Sequence, residues 1–274
     1  MPITPHATGA SLAAAALILA ATPLARADIP PAPPRPATTN AATGETKPPT
    51  PPPEPVGPVE PLPPAPAATP VDITAIEGKI RVACVGDSIT AGAGAGKGKA
   101  YPTQLQELLG DKWDVKGYGL SGHTLMNSGN APYMKKPAFQ QAQDFKPHVV
   151  IIMLGTNDTK PQNWEKKADF VPDYEIMIAA FAALDSKPKI YLCRPCPVPG
   201  NGNFKINEAG VREQAPLIDK LVADHKLAGV IDMHNALADK PQMLPDRVHP
   251  NAAGARVMAE TAYAALTGKA APAN

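Results

Sequence analysis

Five short apolar segments in the C-terminal two thirds of the chain predict β-strands, at residues 79–85, 113–115, 148–154, 189–193 and 229–232. Helical patterns lie between and after them, near residues 102–109, 170–184, 208–225 and 251–266. The near-continuous apolar run at 148–154 is typical of a central parallel strand buried on both faces. Strands that alternate with helices imply right-handed crossovers. We therefore expect an α/β fold with a central parallel sheet of about five strands, covered by helices on both faces.

The N-terminal part of the chain shows no such pattern. Of the 35 prolines, 17 fall in residues 28–70, where repeated PP and PPP favour an extended polyproline chain without backbone donors. All 13 aromatic residues lie between Tyr101 and Tyr263, so only the C-terminal part can build a core. We predict a proline-rich, disordered linker over residues 28–70 and a single domain over residues 71–274.

Residues 1–27 resemble a secretory signal peptide. An apolar run from Leu12 to Ala21 precedes Ala25-Arg26-Ala27, which fits an A-x-A cleavage site, although no Lys or Arg stands before the run. We expect a secreted or periplasmic protein, cleaved near Ala27. No later apolar run is long enough to span a bilayer, so we predict no integral membrane segment in the mature chain.

Charge and cysteine content narrow the function further. Lys and Arg total 26 against 25 Asp and Glu, which leaves no basic field for nucleic acid, and we expect no nucleic-acid partner. The three cysteines are too few for a disulfide scaffold. Cys193 and Cys196 form a C-x-x-C pair at the end of a predicted strand, and we expect them to pack or to form a local disulfide rather than to bind zinc or act in redox chemistry.

A serine stands directly after the first predicted strand. In the sequence GDSIT, residues 86–90, Ser88 lies between a glycine and a helical pattern, which would expose its hydroxyl and place its amide at a helix N-terminus. A serine at such a position more often serves as a helix cap. The motif alone therefore leaves both roles open.

Further chemical groups follow later strands. Asn157, in LGTND, has a side-chain NH₂, and Gly122, in GLSGHT, offers a bare backbone amide, and both suit a developing oxyanion. In DRVHPN, Asp246 stands three residues before His249, so its carboxylate can accept from one ring nitrogen while the other faces a serine. Because active sites of parallel sheets collect at the strand ends, we expect these groups to meet.

These four blocks, in this order, resemble those of the GDSL, or SGNH, hydrolase family, with GDSI in place of GDSL. The resemblance covers about residues 79–268 and implies a three-layer α/β/α flavodoxin-like fold. It also implies a serine esterase in which Ser88 is the nucleophile, His249 the general base and Asp246 its orienting partner. The oxyanion would be held by Ser88, Gly122 and Asn157. No cofactor and no metal is expected.

Features of the loops favour a narrower function. The LGTNDTKPQNW and LCRPCPVPG segments are similar to those of bacterial sialate or xylan O-acetylesterases, which implies a glycan or small-molecule acetyl ester as substrate. Candidate substrate-binding residues are Asp87, His123 and Trp164, whose indole can stack on a sugar or pack in the core. The alternatives are a lysophospholipase, thioesterase or arylesterase, an O-acyltransferase, or a silent glycan-binding module. Oligomeric state is not predicted.

Overall fold

In a computed structural model of the chain, residues 56–273 are described. The predicted signal peptide and the greater part of the predicted linker lie outside the described residues. The described part contains a five-stranded sheet in the order β2-β1-β3-β4-β5, with every neighbouring pair parallel. The strands are β1 (Ile80–Gly86), β2 (Trp113–Gly119), β3 (Val149–Met153), β4 (Lys189–Arg194) and β5 (Gly229–Asp232).

Helices cover both faces of this sheet, which confirms the predicted three-layer α/β fold. The helices α2 and α8 pack on one face, and α3, α5 and α6 pack on the other. Within the described residues, no helix is long and apolar enough to cross a bilayer. The helices are α1 (Ser88–Ala91), α2 (Tyr101–Leu109), α3 (Pro137–Asp144), α4 (Pro161–Trp164), α5 (Phe170–Ala182), α6 (Glu208–Asp224), α7 (Met233–Leu237) and α8 (Ala252–Thr267).

The central strand β3 is buried along its whole length, as its apolar run predicts. Side chains alternate between the two faces of a strand, so Val149 and Ile151 join the α2–α8 core while Val150 and Ile152 join the opposite core. Helix α3 is missing from the sequence prediction because it has only eight residues and its buried residues are the small Ala138 and Ala142.

The last part of the predicted linker packs on the domain, contrary to its expected disorder. Leu62 is buried, its N–H donates to Asn235 Oδ1 at 2.7 Å, and its carbonyl accepts from Asn235 Nδ2 at 3.0 Å. Further along, Thr69 N donates to Ala228 O at 2.7 Å. The composition signals extended backbone correctly, but it cannot show that partners for that backbone exist on the domain.

A buried arginine ties this segment to the sheet. Arg194, at the end of β4, is 2% exposed and donates to Asp219 at 3.0 Å, Asp232 at 2.9 Å and the carbonyl of Pro63 at 2.7 Å. A buried cation needs its donors satisfied, because an unmet charged donor carries a desolvation penalty. We therefore treat residues 59–70 as a structural strap of the domain.

Shortening the chain distinguishes the strap from a linker. A chain that begins at residue 56 should keep the unfolding free energy of the full chain, whereas one that begins at residue 71 should lose about 3 kcal/mol, because Arg194 and Asn235 lose partners. Urea unfolding followed by circular dichroism measures both. Equal stability of the two shortened chains would show that the strap contributes nothing.

Candidate active site

The residues singled out in the four blocks meet at the carboxyl edge of the sheet. Ser88 follows β1, Gly122 follows β2 and Asn157 follows β3, and β1 lies between the other two strands. Asp246 and His249 come from the loop that leads into α8. Neighbouring parallel strands end at the same edge, so these loops converge there.

Ser88, His249 and Asp246 form a continuous hydrogen-bonded chain. Ser88 Oγ lies 2.9 Å from His249 Nε2, and His249 Nδ1 lies 2.7 Å from Asp246 Oδ2. These distances allow a proton to move from the hydroxyl to the imidazole while the carboxylate holds the second ring nitrogen.

The backbone of the same loop fixes Asp246. Its Oδ1 accepts from Val248 N at 3.0 Å and from His249 N at 2.7 Å, and the left-handed Arg247, at φ 69°, closes the turn. Partial burial acts to raise the pKa of Asp246, but the hydrogen bonds from the backbone and ring of His249 outweigh it and hold the pKa below its ordinary value. The carboxylate is therefore ionised at neutral pH and can accept a hydrogen bond from Nδ1 of His249.

Three donors lie around the serine. Ser88 begins α1, where the first amides have no acceptor within the helix. Gly122 adopts φ 79°, a left-handed conformation that favours glycine. Asn157 Nδ2 donates to His123 O at 3.1 Å and makes only a long 3.5 Å contact with Asp87 Oδ2. Since that second contact is weak, the second N–H of the amide remains available to a ligand.

A cleft of about 260 Å³ opens above the serine. Two apolar residues on its wall, Phe204 and Ile206, escaped the sequence analysis because they lie in a long Gly- and Asn-rich loop between β4 and α6. The cleft is lined by Ser88, Ala93, Ser121, Gly122, Asn157, Lys160, Phe204, Ile206 and His249.

The loop between α1 and α2, which is rich in glycine, forms part of this wall through Ala93. At Gly94, with φ 83°, a Cβ atom would lie 2.8 Å from both His249 Cβ and the carbonyl oxygen of Pro250. The loop therefore contacts His249 and Pro250 closely, and only glycine fits at position 94.

The model of the GDSL-like lipase/acylhydrolase family matches residues 84–257, well over half of the chain. The chain belongs to this family. The match includes Ser88, Gly122, Asn157, Asp246 and His249, the residues that the fold brings to one edge of the sheet.

Several known proteins resemble the chain in sequence or in fold. An acetylxylan esterase from Xylanibacter ruminicola is 40% identical in an alignment of 210 residues that covers 69% of this chain but only 44% of that protein. A carbohydrate acetylesterase from Sinorhizobium meliloti has the same fold, with a TM-score of 0.56 at 19% identity over 68% of this chain and 97% of that one. The aryl esterase of M. smegmatis has a TM-score of 0.54 at 21% identity, over 68% of this chain and 99% of that one.

Two buried carboxyl groups lie beneath the site of this GDSL-like protein. Asp87, a candidate substrate-binding residue, is fully buried and caps α1, with Oδ1 accepting from Ile89 N at 2.9 Å. Asp158 accepts from Leu125 N and Met126 N, each at 2.9 Å. Burial raises the pKa of Asp87 to about 6 and that of Asp158 to about 7, where the charge of Asp87 adds to the effect. These contacts place Asp87 under the serine loop, with its carboxyl group shielded from solvent.

The other two candidate substrate residues, His123 and Trp164, are not among those that line the cleft. His123 contributes its carbonyl to Asn157, and its Nδ1 lies 2.9 Å from Ser121 O. Trp164 packs edge-on against Phe170 at 5.5 Å and donates Nε1–H to Glu213 at 3.0 Å. Of the two roles that the sequence leaves open for Trp164, sugar stacking and packing, the structure shows packing.

The cysteines are free thiols in the core. Cys84, Cys193 and Cys196 are all buried, and none of them is in a disulfide. Burial raises the pKa of Cys84 to about 12, and that of Cys193 rises well above its ordinary value for the same reason. Cys193 and Cys196 therefore pack as small apolar side chains, one of the two outcomes expected from the sequence.

The raised carboxyl pKa values predict how stability changes with pH. Between pH 4 and pH 7 the unfolded chain has already lost protons that folded Asp87 and Asp158 retain, so the unfolding free energy should fall as pH rises through this window. Asp87→Asn keeps an acceptor for the α1 cap and should reduce this fall by about 1 kcal/mol or more. Urea unfolding at pH 4.5 and 7.5 measures it, and an unchanged fall in the variant would contradict the assignment.

Proposed function

We propose that the protein is a secreted serine esterase that removes short acyl groups, acetyl above all, from carbohydrates through an acyl-enzyme on Ser88. The observation that carries this proposal is the 2.9 Å contact of Ser88 Oγ with His249 Nε2, backed by the 2.7 Å contact of His249 with Asp246. The secreted location rests on residues 1–27 alone, which lie outside the described residues.

Acyl transfer begins with the serine hydroxyl. As Ser88 Oγ attacks the ester carbonyl, its proton passes to His249 Nε2, and the ionised Asp246 stabilises the imidazolium that forms. The imidazolium then donates this proton to the leaving alcohol oxygen. Water attacks the acyl-enzyme by the same route, with His249 again the base, and releases the carboxylic acid and free Ser88.

The negative charge that develops on the carbonyl oxygen is stabilised by hydrogen-bond donors that are in position before the substrate binds. The amides of Ser88 and Gly122 and the Nδ2 of Asn157 are the donors in this role. Asn157 is held by His123 O, so its amide plane is fixed before a substrate binds. Each such donor contributes about 3 kcal/mol to transition-state stabilisation in a site of this kind.

Two observations support a short acyl group on a sugar. The relative that is 40% identical is an acetylxylan esterase. The cleft of about 260 Å³ is small for a ligand site, and its wall includes the polar Ser121, Asn157 and Lys160. A lysophospholipase or thioesterase would need room for a long acyl chain.

A substrate panel with a serine variant tests the proposal. The wild type should release acetate from acetylated xylan or acetylated sialic acid faster than it cleaves medium-chain esters, with acetate formed in step with ester consumed. Ser88→Ala should lower turnover roughly 1000-fold or more, because it removes the nucleophile. Preference for medium-chain esters would contradict the proposed carbohydrate substrate. Full activity of Ser88→Ala would contradict the proposed mechanism. Transfer of acetate to a second sugar would show that the enzyme is a transferase and not a hydrolase.

A pair of glycine variants tests whether the loop between α1 and α2 positions the imidazole. Gly94→Ala should lower kcat about 10- to 100-fold, since the new methyl group displaces His249. Gly96→Ala is the matched control, because Gly96 has nearly the same φ, 85° against 83°, but open space at its Cβ. Equal activity of the two variants in acetate release would show that the contact does not matter.

A further inference from the structure

Phe204 is the large apolar side chain that the cleft exposes. It is 52% exposed, and its ring centroid lies 5.6 Å from that of His249, with the two planes inclined by 56°. An aromatic ring that stays exposed to water gives up the favourable free energy of burying its apolar surface. The open face of Phe204 is therefore a surface on which an apolar part of a ligand can pack.

The backbone around Phe204 adopts an uncommon conformation. Phe204 and Lys205 have φ values of 54° and 64°, and Ile206 N donates to Asn203 O at 2.7 Å across them. A turn with both central residues left-handed strongly prefers Asn and Gly. Placing Phe and Lys there strains the backbone, and such strain concentrates at functional sites.

The rest of the loop holds this strained turn in place. Ile206 is buried in a cluster with Val198, Val211 and Val248, the residue next to His249. Asn203 Oδ1 accepts from Phe204 N at 2.8 Å. The turn is thus packed against the loop that carries the imidazole, which places Phe204 next to His249.

The direction of proton transfer shows which part of the ester meets Phe204. The carbonyl oxygen must face Gly122 and Asn157, while the alcohol oxygen must face His249 Nε2 to receive its proton. Phe204 adjoins the imidazole, so it borders the alcohol part of the ester rather than the acyl group. In a sugar ester this part is a pyranose ring with an apolar C–H face.

We propose that Phe204 is a specificity-determining residue, a platform on which the sugar that carries the acyl group stacks. This inference rests on the proposed function and adds the subsite for the alcohol part. It assigns to Phe204 the stacking role that the sequence analysis considered for Trp164, whose ring is packed against Phe170. The platform should lower KM for sugar esters and leave esters of small alcohols unaffected.

The variant Phe204→Asn is the decisive one. Asn is favoured in a left-handed turn, so this change removes the ring while relieving strain, and the melting temperature should stay level or rise. We expect the KM for an acetylated xylo-oligosaccharide to rise about tenfold and that for ethyl acetate to change less than twofold. Phe204→Trp should restore a low KM for the sugar ester.

Two contrary outcomes and one control variant separate the platform from other roles. If the ring instead protects the imidazole, both esters lose kcat equally and the pH profile shifts, which would overturn the proposal. Unchanged KM for both esters would overturn it as well. Ile176→Asn, which removes an equally exposed apolar side chain from α5, should leave both esters unaffected. Failure of the proposed function is distinct, because Ser88→Ala would then still hydrolyse ethyl acetate.

Discussion

The hydrogen bond between Ser88 and His249 joins residues 161 positions apart, and the rest of the site depends on it. The serine is held by the turn from β1 into α1, with Asp87 as cap, and the imidazole by the turn before α8, with Asp246 as anchor. The conformation of each turn is determined by residues within the turn. The distance between the two turns is determined by the sheet and by the packing of α8 on the face where α2 also lies.

The carboxyl groups near the site have pKa values shifted in opposite directions, because their surroundings differ. Asp246 is partly exposed and accepts several hydrogen bonds, so it remains ionised, as its role in the proposed mechanism requires. Asp87 and Asp158 are buried under the serine and Asn157, where a full pair of negative charges would oppose the negative charge that the proposed mechanism places on the substrate. Their raised pKa values limit that opposition in mildly acidic conditions.

How much the sequence predicts depends on the range of the interaction. The strands, the long helices and the residues of the four blocks follow from local patterns, because apolar periodicity and turn residues are encoded within a few positions. The strap lies beyond such patterns, since its carbonyls find Arg194 and Asn235 far along the chain. Phe204 escapes for the same reason, because a lone aromatic in a polar loop does not show what it faces. Trp164 is a candidate from the sequence because it closely follows the LGTND block.

Two loops with no catalytic group set the environment of the imidazole. Gly94 meets the backbone of His249 and Pro250 on one side, and the strained turn carries Phe204 to the ring on another. The contact of Phe204 involves neither of the hydrogen bonds that the imidazole makes, to Ser88 and to Asp246. In the role proposed for Phe204, replacing side chains in the turn alters which alcohol is accepted while proton transfer continues. The proposed chemistry and the proposed alcohol selectivity then lie on separate segments that meet at His249.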